Sequence, residues 1–457
     1  MSAMKLRAVC AVLTAATTIF YAQTSHAGIP IEHFTLDNGA KVFLVHSPGI
    51  PMVDVQLDFD GGSRRDPADK AGLASVTASL LSSGTRAAAG QKALDENAVG
   101  AAWADLGASF GAGASSDRMS FSLRSLSYPD LLERAVQLAA HEMAHPAYSQ
   151  VVWERERKKL EASLKEAETR PATVAARAFG QAVYGSHPYG QEMTAATLAR
   201  IRVQDMQRHH AATVLPCRAK VSVVGALDRA QTATLVQKLL QWLPQSSCPA
   251  LPAVPEVASL QQASAQRIPF DAAQAQVLLG QPGFKRNDPD FLALNLANHV
   301  LGGGGFTSRL TEEVREKRGL TYSVYSYFSP ALHAGAFTVG LQTRPDQADQ
   351  ALGVVREVLE RFTKEGPTQA ELDAAKANLV GGFALQLDSN RKLLGQVANI
   401  AWNELPLDYL DTWQARVQAI PLEQVKAAFA RVVNPQRIAT VVLGATAAPA
   451  AAPVKGQ

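Results

Sequence analysis

The stretch IRVQDMQRHHAATVLPCRAKVSVVGA, Ile201 to Ala226, decides the fold, because the chain writes a version of it twice. The second version is IPLEQVKAAFARVVNPQRIATVVLGA, Ile420 to Ala445, which aligns without a gap 219 residues further on. Identities fall at Ile201/Ile420, Ala211/Ala430, Val214/Val433, Pro216/Pro435, Arg218/Arg437, Val223/Val442, Gly225/Gly444 and Ala226/Ala445. Each copy reads as an amphipathic helix, a turn around proline, and a β-branched strand ending at Gly-Ala. Two unrelated helix–strand units would not share eight gapless matches in 26 residues, each copy closing a segment of domain length. The chain therefore reads as a duplicated domain.

Working outward, the 457 residues are too many for one ordinary core and comfortable for two domains of roughly 200 each. Leu243 to Phe270 is rich in proline, serine and alanine and reads as a linker between them. This divides the chain into residues 28–242, a linker 243–270, residues 271–446, and a low-complexity tail 447–457. Within each half, strand-like alternation (KVFLV, VDVQLDFD; QVLLGQ) precedes long helical runs, and strict strand–helix alternation is rare. That order predicts an α+β fold.

Met1 to about Ala27 reads as an export signal. Lys5 and Arg7 form its charged start, Ala8 to Phe20 is mostly apolar, and Ser25-His26-Ala27 offers small residues before Gly28. The predicted address is the bacterial periplasm. Lys5 and Arg7 also carry two of the +3 formal charges, so nothing beyond the signal points to nucleic acid or an anionic membrane. No later apolar run reaches the ~20 residues that span a bilayer. Only Cys217 and Cys248 survive processing. They cannot make a zinc–thiolate site alone, and the sequence leaves open whether they pair.

Three stretches carry a family resemblance over essentially the whole mature chain. They are FTLDNGAKVFLVHSPGIPMVDVQLDFDGGSRRDPADKAGLASVTASLLSSGT (Phe34 to Thr85), YGSHPYGQEMTAATLARI (Tyr184 to Ile201) and LGGGGFTSRLTEEVREKRGLTYSVYS (Leu301 to Ser326). The chain resembles the pitrilysin/insulinase family of inverted zincins, which includes the mitochondrial processing peptidases. The resemblance implies two homologous α+β domains, each a mixed, mostly antiparallel sheet packed with helices. It also implies a catalytic His-x-x-Glu-His directly after a Gly-Leu-Ala segment. Here Gly72-Leu73-Ala74 is followed by Ser75, Ala78 and Ser79 at the three signature positions, and the family's remote glutamate ligand falls at Ser163, near Glu161 and Glu166. Hydroxyl and methyl groups do not replace imidazole and carboxylate on zinc. The expected catalytic site of this chain is empty.

A second motif competes. His141-Glu142-Met143-Ala144-His145 spells the ordinary zincin pattern His-Glu-x-x-His. Leu132, Val136, Ala139 and Met143 form an apolar stripe at helical spacing, which places His141 and His145 on the opposite side of the rod. Pro146 then ends the helix at His145. The reading is a solvated or cavity-facing histidine pair, with a self-sufficient zincin built on His141, Glu142 and His145 as an alternative.

The second half holds the stronger candidate. TSRLTEEVREKRGLTYSVYS reads as a helix to about Arg318, a Gly319 cap and a strand with alternating aromatic residues. The family's arginine and tyrosine, seven residues apart, fall at Arg315 and Tyr322. The resemblance implies that they contact peptide near the scissile carbonyl, opposite a zinc site. The residues alone leave plainer roles open: Arg315 paired with Glu312, Tyr322 in the core. Gly302 to Gly305 is no phosphate loop, since no Gly-Lys-Ser/Thr follows.

These readings converge on the non-zinc, substrate-binding subunit of a heterodimeric periplasmic zinc metallopeptidase. The implied partner is a homologous chain that brings His-x-x-Glu-His and zinc; no cofactor is expected in this chain, which alone should be inactive. A non-enzymatic peptide-binding or assembly scaffold of the same fold is the alternative.

Overall fold

Both copies of the repeat form the predicted helix, turn and strand. The computed structural model describes residues 28–245 and 248–444, so the signal segment and the tail lie outside the described residues. The first half runs β1 (Glu32–Thr35), β2 (Lys41–His46), β3 (Met52–Phe59), α1 (Leu73–Ser79), β4 (Gly84–Thr85), β5 (Leu94–Asp95), α2 (Glu96–Leu106), β6 (Ser109–Ala114) and β7 (Met119–Leu126). It continues through α3 (Pro129–Ala144), α4 (Gln150–Ala167), α5 (Pro171–Tyr184), α6 (Ala195–Arg200), α7 (Val203–Thr213), β8 (Lys220–Gly225) and α8 (Arg229–Leu240). The second half runs β9 (Ser264–Ile268), β10 (Ala275–Pro282), α9 (Phe291–Asn298), β11 (Val324–Phe328), β12 (Ala336–Thr343) and α10 (Ala348–Glu365). It ends with α11 (Gln369–Gly382), α12 (Asn390–Trp402), α13 (Tyr409–Ala419), α14 (Leu422–Val432) and β13 (Ala439–Leu443).

The repeat units α7–β8 and α14–β13 each supply one of the inner strands of a sheet. Sheet order is β1-β2-β8-β3-β7-β6 in the first half and β11-β12-β10-β13-β9 in the second. Reversed, the second order repeats the first from β2 onward. Orientation repeats too: β2/β8 and β9/β13 are parallel, and the remaining pairs in both sheets are antiparallel. Both faces of the inner strands are covered, which is why VSVV and ATVVL are continuous buried runs, Ser222 and Thr440 included. The glycine closing each copy is required by the backbone. A Cβ on Gly225 would sit 2.2 Å from the Met52 carbonyl oxygen, and Gly444 has φ +82°. One boundary differs from the sequence reading. β9 lies inside the stretch read as linker and completes the second sheet, because its backbone pairs with β13 despite a polar sequence.

One face of each sheet is covered by its own half. Val136, Ala139 and Met143 of α3 and Leu235, Val236 and Leu239 of α8 pack on the first sheet. Val355, Leu359 and Phe362 of α10 and Val425 and Phe429 of α14 pack on the second. The opposite faces are covered by exchange. From the second half, α12 lays Leu394, Val397, Ile400 and Ala401 on Phe43, Val45 and Val224 of the first sheet. From the first half, α5 lays Ala175, Phe179 and Val183 on Ala439, Val441 and Leu443 of the second. Each large side chain so buried contributes about 1.5–3 kcal/mol, so neither sheet is complete without the other half.

The linker is fastened along the seam. Cys217 and Cys248 form a disulfide. Arg65 Nη1 donates to the Pro252 carbonyl at 2.8 Å, and Lys285 pairs with Glu256 at 2.7 Å.

Candidate functional site

The signature positions lie on α1, a short helix. The Asp66 carboxylate accepts from the backbone N–H groups of Gly72 and Ala74, both at 2.9 Å, and so starts it. Leu73, Val76 and Leu80 anchor the helix against Trp153, Leu198 and Met206, and Ala78 enters the first-half core. Ser75 is half-buried, Ser79 is exposed with its hydroxyl returned to the Val76 carbonyl at 3.1 Å, and Ser163 is exposed on α4. The nearby acids are engaged, Glu161 with Arg157 and Glu166 with Arg170. Hydroxyl, methyl, hydroxyl and hydroxyl do not fit a zinc ion. Among the described residues no three histidine, cysteine, aspartate or glutamate side chains come together in a metal-holding group.

The His141–His145 motif sits at the end of α3, with Val136, Ala139 and Met143 in the core as the stripe requires. Of the two settings read for the histidine pair, solvated or cavity-facing, the first does not hold at His141. His141 is only 2% exposed, so it is not solvated. The rings lie 5.5 Å apart and both rest against Trp242, at 5.9 and 6.0 Å, just after α8. Burial holds both imidazoles below their usual range, and at His145 the Arg86 charge adds to it. Glu142 turns away from this pair. Its Oε1 accepts from Trp103 Nε1 at 2.5 Å inside the core, and burial pushes its carboxyl up to about 7. The two imidazoles and the carboxylate therefore have separate surroundings and do not converge.

Arg315 and Tyr322 occupy a different setting. The segment before them is not the regular helix expected to Arg318. Thr311–Glu316 forms a wide π-type turn, held by buried Thr311 and Val314, and a second one spans His299–Gly303. Such turns recur at functional sites. The Gly319 N–H then closes on the Arg315 carbonyl at 2.8 Å. Lys317 takes Glu312 at 2.8 Å and Arg315 faces Glu316, so the alternative Arg315–Glu312 pair does not form. The Arg315 guanidinium lies 4.8 Å from the centre of the Phe306 ring and 3.5 Å from Glu316. Tyr322 is 86% exposed, not core, in the bend that leads into β11. The Thr321 hydroxyl pins that bend by donating to the Gln342 carbonyl at 2.6 Å. Along β11, Val324 and Ser326 point inward, while Tyr325 and Tyr327 point outward and stack at 5.9 Å. Phe306, 75% exposed, completes an open face of arginine and aromatic rings beside an edge strand.

Sequence reasoning missed the polar lock between the halves. Tyr189 donates to Asp117 Oδ1 at 2.6 Å and accepts from the His333 N–H at 3.2 Å. Asp117 also accepts from the Leu332 N–H at 3.0 Å and pairs with Arg64 at 3.1 Å. Tyr189 belongs to the YGSHPYG stretch, whose aromatic and histidine content marks a partly buried polar site without naming its partner.

Comparison with known proteins matches two family models to consecutive stretches of the chain. Residues 41–197 match insulinase (peptidase family M16), and residues 200–379 match the peptidase M16 inactive domain. The crystal structure of a peptidase M16 inactive domain from Pseudomonas fluorescens superposes with a TM-score of 0.85 and is 34% identical, covering 92% of this chain and 98% of that one. A non-peptidase homolog, YmxG of Helicobacter pylori, is 26% identical over 85% of this chain and 88% of its own length. An uncharacterized zinc protease of Streptomyces coelicolor is 31% identical over 272 residues, 58% of each chain. The chain belongs to the insulinase family of peptidases, family M16. The resemblance drawn from the sequence places the family's signature at Ser75, Ala78 and Ser79.

Proposed function

We propose that this chain is the non-zinc, substrate-binding subunit of a heterodimeric periplasmic zinc metallopeptidase that hydrolyses peptides. The observation that carries the reading is a contrast within one molecule. α1 carries no zinc-competent donors, while Arg315 and Tyr322 stand on an open, aromatic-rich face. An 86% exposed tyrosine, and an exposed phenylalanine set against an arginine in the turn before it, make an unusual surface for a chain with no partner. Guanidinium and phenol donors can both hydrogen-bond a peptide carbonyl as its oxygen gains charge. The partner, a homologous chain with His-x-x-Glu-His, would hold the metal that polarises that carbonyl. The Cys217–Cys248 disulfide supports an oxidising compartment.

Co-expression with such a homologue, followed by size-exclusion chromatography with light scattering, metal analysis and a peptide-cleavage assay, tests this. The expected result is a stable pair that holds zinc in the partner and cleaves peptide, with neither activity nor stoichiometric zinc in this chain alone. Independent monomers at micromolar concentration would overturn it. The similarity to a non-peptidase homolog favours a second reading, a peptide-binding scaffold. That reading predicts a pair whose activity ignores Arg315 and Tyr322.

A further inference from the structure

Arg286, in the loop between β10 and α9, is a buried cation without a counter-charge. It is 9% exposed, its guanidinium lies 3.7 Å from the centre of the Phe291 ring, and the Tyr409 ring centre is 5.5 Å away. Among the described residues its one side-chain hydrogen bond runs from Nη2 to the Tyr409 hydroxyl, at 3.3 Å. The carboxylates nearby in sequence or lining are committed elsewhere, Asp288 and Asp290 to Arg431 and Glu404 to Lys220. A guanidinium has five N–H donors, and burying one without an anion is costly. The cation–π contact offsets only part of that cost.

The space around it has room for the missing group, although the ion-paired Asp288 and Glu404 also line its larger part. Arg286, Phe291, Leu292 and Tyr409 line two adjoining cavities of about 360 and 450 Å³. Arg416, exposed and without an ion pair among the described residues, lies 5.4 Å from the centre of the same Tyr409 ring and lines the larger one. The other cavity is lined by side-chain amides, among them Asn295, Asn298, Gln396 and Asn399. Phe291 covers a face of the guanidinium, so a ligand meets its edge, where a planar two-oxygen anion can accept two parallel hydrogen bonds.

We propose that Arg286, assisted by Arg416, is the receptor for a carboxylate carried by a short peptide, with the amide-lined cavity taking the peptide groups behind it. The choice of a peptide rests on the peptide-binding reading above; the anion site itself rests on Arg286 and its cavities.

The mature chain alone serves for the test, so a failure to assemble with any partner leaves it readable. Titration calorimetry and thermal unfolding are run with trialanine bearing a free C-terminal carboxylate, its C-terminal amide, N-acetyl-Ala-Glu-Ala amide, and inorganic phosphate. The expected result is that a peptide carboxylate binds and raises the melting temperature, while trialanine amide binds at least about tenfold more weakly. Whichever of the free acid and the glutamyl peptide binds identifies the source of the carboxylate. Arg286→Gln should remove the preference for acid over amide without lowering the melting temperature, since it deletes a buried charge. Arg416→Ala should weaken binding by about threefold and fold normally. Equal binding of acid and amide, equal binding by wild type and Arg286→Gln, or no binding of any probe at millimolar concentration would overturn the proposal. Phosphate binding as tight as the peptide's would mark a small-anion site and overturn it too. If Arg286→Gln fails to fold, the acid–amide comparison on wild type and the Arg416→Ala titration decide.

Discussion

α7 and α14 hold the same place in the two halves and fill it with different chemistry. His209 and His210 of α7 stand where Ala428 and Phe429 stand in α14, and all four are buried. His209 Nε2 spends itself on the Gly61 carbonyl at 2.9 Å, and burial pushes the His210 imidazole down to about 4. Phe429 instead packs edge-on against Phe362 at 4.9 Å and Phe337 at 6.0 Å. The surfaces differ in the opposite sense. On the first half, α1 exposes Ser79; on the second, Tyr322 and Phe306 stand open, with Arg315 half-buried against Phe306. Duplication kept the strand, proline turn and closing glycine, which the backbone needs, and left the side chains of each half free to diverge.

The exchange of α5 and α12 gives the hardest test of how far the halves depend on each other. Phe179→Ala, which empties the second sheet's outer face, should cost about 3–5 kcal/mol, and Ile400→Ala on the first about 2–5. Urea unfolding followed by fluorescence and circular dichroism should show one coincident transition shifted in both variants. Separate transitions for the two halves would break the comparison.

Next in size is the split of chemistry between the halves. In the reconstituted pair, Arg315→Ala and Tyr322→Phe should each lower turnover by about 10²–10³ if the donor acts mainly in the transition state. Zinc content and assembly should be unchanged. Ser75→Ala and Ser79→Ala should leave turnover at the wild-type level. Steady-state kinetics on complexes checked for zinc decides, and wild-type rates in both second-half variants would remove those residues from the site.

Acid should strain the first half. The native state excludes a proton from His210, so stability is complete above the unfolded pKa of 6.5 and is lost as pH falls from 6.5 toward about 4. The full loss is about 3 kcal/mol. Glu142, held up near 7, slopes the other way: its contribution fades as pH rises from 4.5 to about 7. Denaturation midpoints of wild type and His210→Phe between pH 4 and 7.5 separate the two. The gap between the curves should change across that range, and parallel curves would show His210 to be uninvolved.

The smallest effect belongs to the seam. Tyr189→Phe deprives Asp117 of one donor and the His333 N–H of its acceptor, at about 1–3 kcal/mol. Thermal unfolding should show a lowered melting temperature, and an unchanged one would mean that Arg64 and Leu332 suffice.

Much of this was legible in the residues. The gapless repeat foretold two equivalent halves, and Pro216, Pro435, Gly225 and Gly444 marked the turns and strand ends. The stripe of α3 pointed correctly to the core. These are local properties: a helical period, a run of β-branched residues, a glycine where a Cβ would collide. Other features needed the tertiary structure. A polar strand such as β9 is defined by the partner it pairs with, and the side of α3 away from its stripe gave no sign that Trp242 would bury His141. The α5 and α12 faces announced that something covers them, but not that each crosses to the other half's sheet. Glu142 meeting Trp103, Tyr189 meeting Asp117, and Arg286 meeting no carboxylate were equally invisible. Periodicity records how much of a side chain leaves water; which distant atoms replace that water is set only when the chain closes on itself.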